Sequence, residues 1–186
     1  MSDLERFLLE GSDSVLVVID IQERLAAVME ERGLIIDNVL HLIELARLYD
    51  LPVLVTEQYP KGLGPTVPEI RDALRDYSPV EKITFSCAET EQFMQMLGDL
   101  GRKKVILTGM ETHVCVLQTC IDLLRSGYHV HLPSDAVTSR KDRDKERGLN
   151  FMRDAGAVIT CTETVLFQIL KRAGTEEFKV ISRRIR

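Results

Sequence analysis

Short β-branched apolar runs alternate along the chain with longer segments in which apolar residues recur every three or four positions. The first pattern suits strands buried on both faces and the second suits amphipathic helices, so the alternation predicts a parallel sheet covered by helices. The expected strands are residues 14–19, 53–56, 80–83, 104–109, 129–132 and 157–160. Between the first two, Leu34, Ile35, Val39, Leu42, Ile43 and Ala46 keep helical spacing, and the run stops at Tyr49 and Asp50 before Pro52. Similar helices fit residues 89–100, 113–126, 142–154 and 162–171. The fold class that follows is α/β: a three-layer α/β/α sandwich around a parallel, Rossmann-like six-stranded sheet. No repeat or linker interrupts the pattern, and residues 1–186 are read as a single domain. The longest irregular stretch, residues 57–68, carries Pro60, Pro65 and Pro68 with Gly62 and Gly64. It follows a strand at the carboxyl edge, where such sheets bind ligands.

Composition narrows the function classes. At 186 residues with 45% hydrophobic content, the chain can bury a full core without disulfides or a structural metal. Its 29 acidic and 24 basic residues give a net charge of −5, which supplies no broad positive field, so nucleic acid is not an expected partner. The apolar run at residues 15–19 ends at Asp20, far short of the roughly 20 residues of a membrane span. Residues 1–6 hold two acids and one base, unlike a secretory leader. Cys87, Cys115, Cys120 and Cys161 form no C-x-x-C pair and are expected to be reduced thiols in a cytoplasmic protein. The tail from Thr175, with Arg183, Arg184 and Arg186, reads as a solvated end or a subunit contact.

Three chemically capable groups stand where the strands end. Asp20 directly follows five apolar residues and projects from the end of a central strand, either as a helix N-cap or as a catalytic carboxylate. Lys82 lies near the end of the third strand, in Pro79-Val80-Glu81-Lys82-Ile83, where solvation is the simplest role for a lysine. Cys115 lies in Thr108-Gly109-Met110-Glu111-Thr112-His113-Val114-Cys115, which reads as strand end, turn and helix start. With Thr112 as N-cap, Cys115 falls in the first helical turn, where the positive terminus favours thiolate. The alternative is a small buried hydrophobe. An acid, a cation and a thiol at three different strand ends can meet in one cleft.

The sequence resembles the isochorismatase-like cysteine hydrolases over about residues 14–170. The resemblance rests on Val17-Val18-Ile19-Asp20-Ile21-Gln22, Glu81-Lys82, Gly109-Met110-Glu111-Thr112-His113-Val114-Cys115 and Asp135-Ala136-Val137-Thr138-Ser139-Arg140. The loop Thr56-Glu57-Gln58-Tyr59-Pro60-Lys61-Gly62-Leu63-Gly64-Pro65-Thr66 is similar to a subgroup of isochorismatase-domain proteins. The resemblance implies Asp20 as general base, Lys82 as supporting cation and Cys115 as nucleophile. It further implies an oxyanion hole from the main-chain N–H groups of Glu111 and Cys115, shaped by a cis peptide between Met110 and Glu111. Gln22, Gln58, Tyr59, Phe85 and His113 become candidates for the substrate pocket.

The implied activity is hydrolysis of a small amide or related C–N substrate through a thioester, without a cofactor, in a homo-oligomer. Nicotinamidases of this fold carry an Asp-x-His motif and a further His after the second strand. This chain has Thr56-Glu57-Gln58-Tyr59 there, so no metal is expected. Two alternatives remain: vinyl ether hydrolysis of the isochorismatase type, which works without a cysteine nucleophile, and an interaction protein that keeps the fold. Cys87, Cys120 and Cys161 are read as packing thiols, and His41, His129 and His131 have no ligand spacing.

Overall fold

A computed structural model describes residues 3–185 of the chain; Met1, Ser2 and Arg186 lie outside them. The chain opens with β1 (Ser14–Ile19), α1 (Glu23–Ala26), α2 (Arg32–Tyr49), β2 (Val53–Gln58), α3 (Pro60–Leu63) and α4 (Pro68–Arg71). It continues with β3 (Val80–Lys82), α5 (Glu91–Asp99) and β4 (Lys104–Met110), then a five-residue π-helical turn at Thr112–Val116 that runs into α6 (Leu117–Arg125). The remaining elements are β5 (His129–Pro133), β6 (Val137–Thr138), α7 (Asp142–Asp154), β7 (Val158–Thr160), α8 (Thr162–Leu170) and α9 (Glu176–Arg184).

Among the described residues the sheet has seven strands rather than the six expected. Six follow the order β3-β2-β1-β4-β5-β7, every pairing is parallel, and β6 adds to the outer end of β4 through Gly109–Val137 and Met110–Thr138. At two residues, β6 is too short to show an alternating or continuous apolar pattern. The order reverses between β1 and β4. Ligands of doubly wound sheets collect outside the carboxyl ends at such a point.

Alternate residues of β1 feed two cores. Leu16 and Val18 pack with α2, α8 and α9, and Val15, Val17 and Ile19 pack with α5, α6 and α7. The tail is a helix, α9, with Arg183 and Arg184 exposed; Arg186 lies outside the described residues. Thr175 caps α9 by accepting the Phe178 N–H at 3.1 Å, and Ile181 is buried in the first core. Its periodicity escaped notice because α9 is mostly charged. α2 ends as expected, with Asp50 in the left-handed conformation at φ 49° and the Leu51 N–H returning to the Ala46 carbonyl at 2.9 Å.

One glycine fixes the neighbouring strand ends. Gly109 has φ 121°, and a Cβ there would stand 2.0 Å from the Ile19 carbonyl oxygen. Only glycine therefore lets β4 lie this close to β1 just before the chain turns.

Candidate active site

β1, β2, β3 and β4 deliver polar side chains to the carboxyl edge of the sheet, and the structure brings Asp20, Lys82 and Cys115 together there. Asp20 follows β1 with φ 52°, an uncommon backbone for a residue with a side chain. It does not cap a helix: α1 starts after Gln22, and the Asp20 carboxylate instead accepts from Thr56 Oγ1 and Lys82 Nζ, each at 2.7 Å. Both side chains of the Asp20–Lys82 pair are 0% exposed. Lys82 Nζ also reaches Gln58 Oε1 at 2.8 Å and the carbonyls of Phe85 and Thr84 at 3.2 and 3.3 Å. A buried charge needs such partners to offset desolvation. Burial opposes the ammonium, yet the Asp20 carboxylate, followed by the Cys87 and Cys115 sulfurs, raises the Lys82 pKa above its usual value.

Cys115 is buried in the π-helical turn after β4. A helix start favours thiolate, but the tertiary surroundings of Cys115 oppose it. Burial first, then the Asp20 charge and a hydrogen bond to that carboxylate, push its pKa upward against the pull of Lys82. The resting site is thus an ion pair facing a protonated thiol. Thr112 is not the N-cap either: its hydroxyl is buried without a hydrogen-bond partner, and the residue preceding the turn is Glu111.

The turn is clamped from the β6–α7 side. The Met110–Glu111 peptide is cis, as the resemblance implied. Glu111 Oε2 accepts from both the backbone N–H and Nε of Arg140, each at 3.0 Å. Burial disfavours the Glu111 carboxylate, but the Arg140 hydrogen bonds and charge hold its pKa below the ordinary value. His113 Nδ1 lies 2.9 Å from Ser139 Oγ. A Cβ on Gly148 of α7 would sit 3.1 Å from the His113 Cα, so this helix lies directly against the turn.

The other pocket candidates divide. Gln22 is fully buried. Its amide spends both ends on backbone, donating to the carbonyls of Gly64 at 2.6 Å and Gln58 at 3.1 Å and accepting the Gln58 N–H at 2.8 Å. Gln58 positions Lys82 and donates to the Ile83 carbonyl at 2.7 Å. Tyr59 is exposed, with Pro60, Lys61, Glu81, Lys82 and Ile83, around a cleft of about 350 Å³. Phe85 is exposed beside this rim and contributes its carbonyl to Lys82. The sequence also hid Glu57, whose buried carboxylate accepts from the Thr66 N–H and hydroxyl at 2.6 and 2.8 Å and from the Tyr77 hydroxyl. Glu57 thereby pins the loop of residues 57–68. An acid inside an apolar strand pattern was the available signal.

Cys87 packs in the second core as expected and also lies beside Thr56, within electrostatic reach of Asp20 and Lys82. Cys161 is half-buried with Sγ 3.1 Å from Thr164 Oγ1. Cys120 packs in the second core. Among the described residues no group of three or more His, Cys, Asp or Glu is placed to hold a metal ion, and no helix is long and apolar enough to cross a membrane.

The fold and this constellation match one family. The isochorismatase domain model covers residues 14–164. The chain belongs to the isochorismatase domain family, whose fold is that of a hydrolase. It is 41% identical to the secreted isochorismatase effector Isc1 of Phytophthora sojae, over 93% of this chain and 84% of that protein. It is 38% identical to isochorismatase domain-containing protein 2 of Xenopus laevis, over 98% and 89%. A solved structure described as the MAR1 ribonuclease of Caenorhabditis elegans superposes with a TM-score of 0.89 at 37% identity, covering 96% of this chain and 92% of that one. The Escherichia coli YcaC product, described as an octameric hydrolase of unknown specificity, shares the fold with a TM-score of 0.90 at 22% identity.

Proposed function

We propose that this protein is a cysteine hydrolase of small amides or related C–N substrates, acting through a thioester. The observation that carries this reading is the fully buried Asp20–Lys82 pair, 2.7 Å apart, set against the Cys115 thiol at the reversal of strand order. As Cys115 Sγ attacks the substrate carbonyl carbon, its proton passes to Asp20. Lys82 keeps the carboxylate charged until that moment. The oxyanion is held by the N–H groups of Glu111 and Cys115. Collapse expels the amine, which takes the proton from Asp20 and leaves the acyl group on sulfur. Asp20 then deprotonates a water that attacks the thioester, releasing the acid and restoring the thiol.

A thiol at this position favours acyl transfer over vinyl ether hydrolysis, which needs no nucleophilic sulfur. Tyr59 and Ile83 give the cleft beside Lys82 an apolar part, next to the charged Lys61 and Glu81. Ribonuclease activity, the description given to the C. elegans structure, is the competing reading. It gains little from a net charge of −5 and from a Lys82 ammonium already surrounded by acceptors. We read the protein as a single-domain homo-oligomer, and its free thiols suit a reducing compartment such as the cytoplasm. The deciding experiment is a panel of small amides and ureas assayed for ammonia, run beside isochorismate and an RNA oligonucleotide. Ammonia release that disappears in Cys115→Ala supports the reading. RNA cleavage or isochorismate turnover that survives Cys115→Ala overturns it.

A further inference from the structure

The Asp20 carboxylate is also held from behind, by groups that the reaction does not consume. Thr56 pairs in register with Ile19, is fully buried, and donates its hydroxyl to Asp20 Oδ1 at 2.7 Å while Lys82 takes Oδ2. Cys87 Sγ stands 3.7 Å from Thr56 Oγ1 on the donating side, and the Cys87 N–H is itself fixed to Thr119 Oγ1 of α6 at 2.9 Å. A hydroxyl carries one hydrogen. With the Cys87 thiol donating to the Thr56 oxygen, the Thr56 hydrogen has the Asp20 carboxylate as its acceptor. The left-handed backbone at Asp20 fixes the other end of the same side chain.

We propose that Thr56, backed by Cys87, is a positioning residue that keeps the Asp20 carboxylate aimed at Cys115. The proposal rests on the reading of Asp20 as the base. Thr56 fixes Oδ1 while Lys82 holds Oδ2, so removing the hydroxyl lets the carboxylate turn about its remaining contact and away from the thiol.

The test needs no substrate: the iodoacetamide alkylation rate of Cys115 is followed by peptide mass spectrometry at neutral pH. Wild type is compared with Thr56→Val, Thr56→Ser, Cys87→Ala and Asp20→Asn, with the thermal midpoint of each recorded. Thr56→Val is expected to slow Cys115 about tenfold. Thr56→Ser restores the wild-type rate, and Cys87→Ala slows alkylation less than valine does. A wild-type rate in Thr56→Val, or a serine variant as slow as valine, overturns the proposal. If Asp20→Asn leaves Cys115 unchanged, the base reading itself has failed; if Asp20→Asn slows it and Thr56→Val does not, only the positioning role has.

Discussion

At the carboxyl ends of β1 and β3, Asp20 and Lys82 are buried as a charged pair with hydrogen-bond acceptors ranged around the ammonium. In the middle of β5, His131 is buried just as deeply, and neither ring nitrogen has a partner of normal geometry. Burial there pushes its pKa down to about 4, with only a backbone contact from Arg6 in opposition. The two regions share one sheet and differ in what surrounds the polar atoms. Where a lysine, a threonine hydroxyl and strand-end carbonyls converge, charge survives in the interior. Where only strand bodies converge, a titratable ring is kept neutral and packs as an apolar one. Strand ends, unlike strand bodies, leave backbone carbonyls free to solvate an ion, as Thr84 and Phe85 do for Lys82.

The largest expected effect comes from altering that edge. Asp20→Asn keeps the size of the side chain but exchanges one of its two accepting oxygens for a donor and leaves the buried Lys82 ammonium without a counter-charge, so the thermal midpoint should fall. Its amide does not take the thiol proton, and turnover should fall about 10²–10⁴-fold. Cys115→Ser should fall at least as far. Single-turnover rates beside melting curves decide the matter. An Asp20→Asn variant that melts early yet turns over normally would make Asp20 a structural anchor.

Removing the cation should strike stability too. Lys82→Met leaves the Asp20 carboxylate buried with the Thr56 hydroxyl and the Cys115 thiol as its remaining partners, which costs about 3–5 kcal/mol. His131→Leu, of similar volume, should change stability by less than about 1.5 kcal/mol at neutral pH, since the ring is already neutral. Urea unfolding of both variants at pH 7.5 tests the contrast. Equal losses would erase the distinction between the two regions.

Sequence pattern and structure agree best where period decides. Residues 14–19 and 142–154 emerged with the boundaries expected, because continuous apolar runs and helical spacing leave few alternatives. The same logic exposed Asp20 and Lys82, since a charge that ends an apolar run must lie at a sheet edge. Thr56 ends a run too, yet a threonine is an ordinary strand residue and carries no such signal. Cys87 and Glu111 depend on how loops fold back across 32 and 29 residues of chain, and no local period encodes that. Gln22 looked like a pocket residue because of its neighbour Asp20, whereas its amide is satisfied by strand and loop carbonyls. The upward pull on the Cys115 pKa is hidden from the sequence for a related reason: helix position is local, while burial and the Asp20 charge are tertiary.

Acid should reveal the silent histidine. His131 has a folded pKa of about 4 against an unfolded value near 6.5. Above about pH 6.5 both states are neutral and the residue contributes nothing to the pH dependence. As pH falls toward 4, the unfolded chain takes up a proton that the folded protein refuses, so stability drops, by about 3 kcal/mol in the limit. His131→Leu should lose this component, melting roughly 6–12 °C above wild type at about pH 4 while differing little at neutral pH. Parallel melting curves for the two proteins across that range would show that His131 is solvated or paired after all.

The smallest effect tests a pair that lies between the two extremes. Glu111 is nearly buried, but its partner Arg140 is 60% exposed, so solvent screens the attraction. Arg140→Ala removes the Nε contact and leaves the backbone N–H of residue 140 still donating to the carboxylate. The expected loss is therefore at most about 1 kcal/mol, shrinking further in high salt. The folded Glu111 pKa is held low, so this contribution is present above the unfolded carboxylate pKa and disappears as pH falls through the folded one. Turnover should drop less than about tenfold, because the Glu111 N–H stays in place when its side chain loosens. Melting at low and high salt, paired with turnover, measures both. A loss of several kcal/mol, or abolished activity, would mean that Arg140 holds the nucleophile turn as firmly as Lys82 holds Asp20, and that burial alone does not set the strength of a polar clamp in this fold.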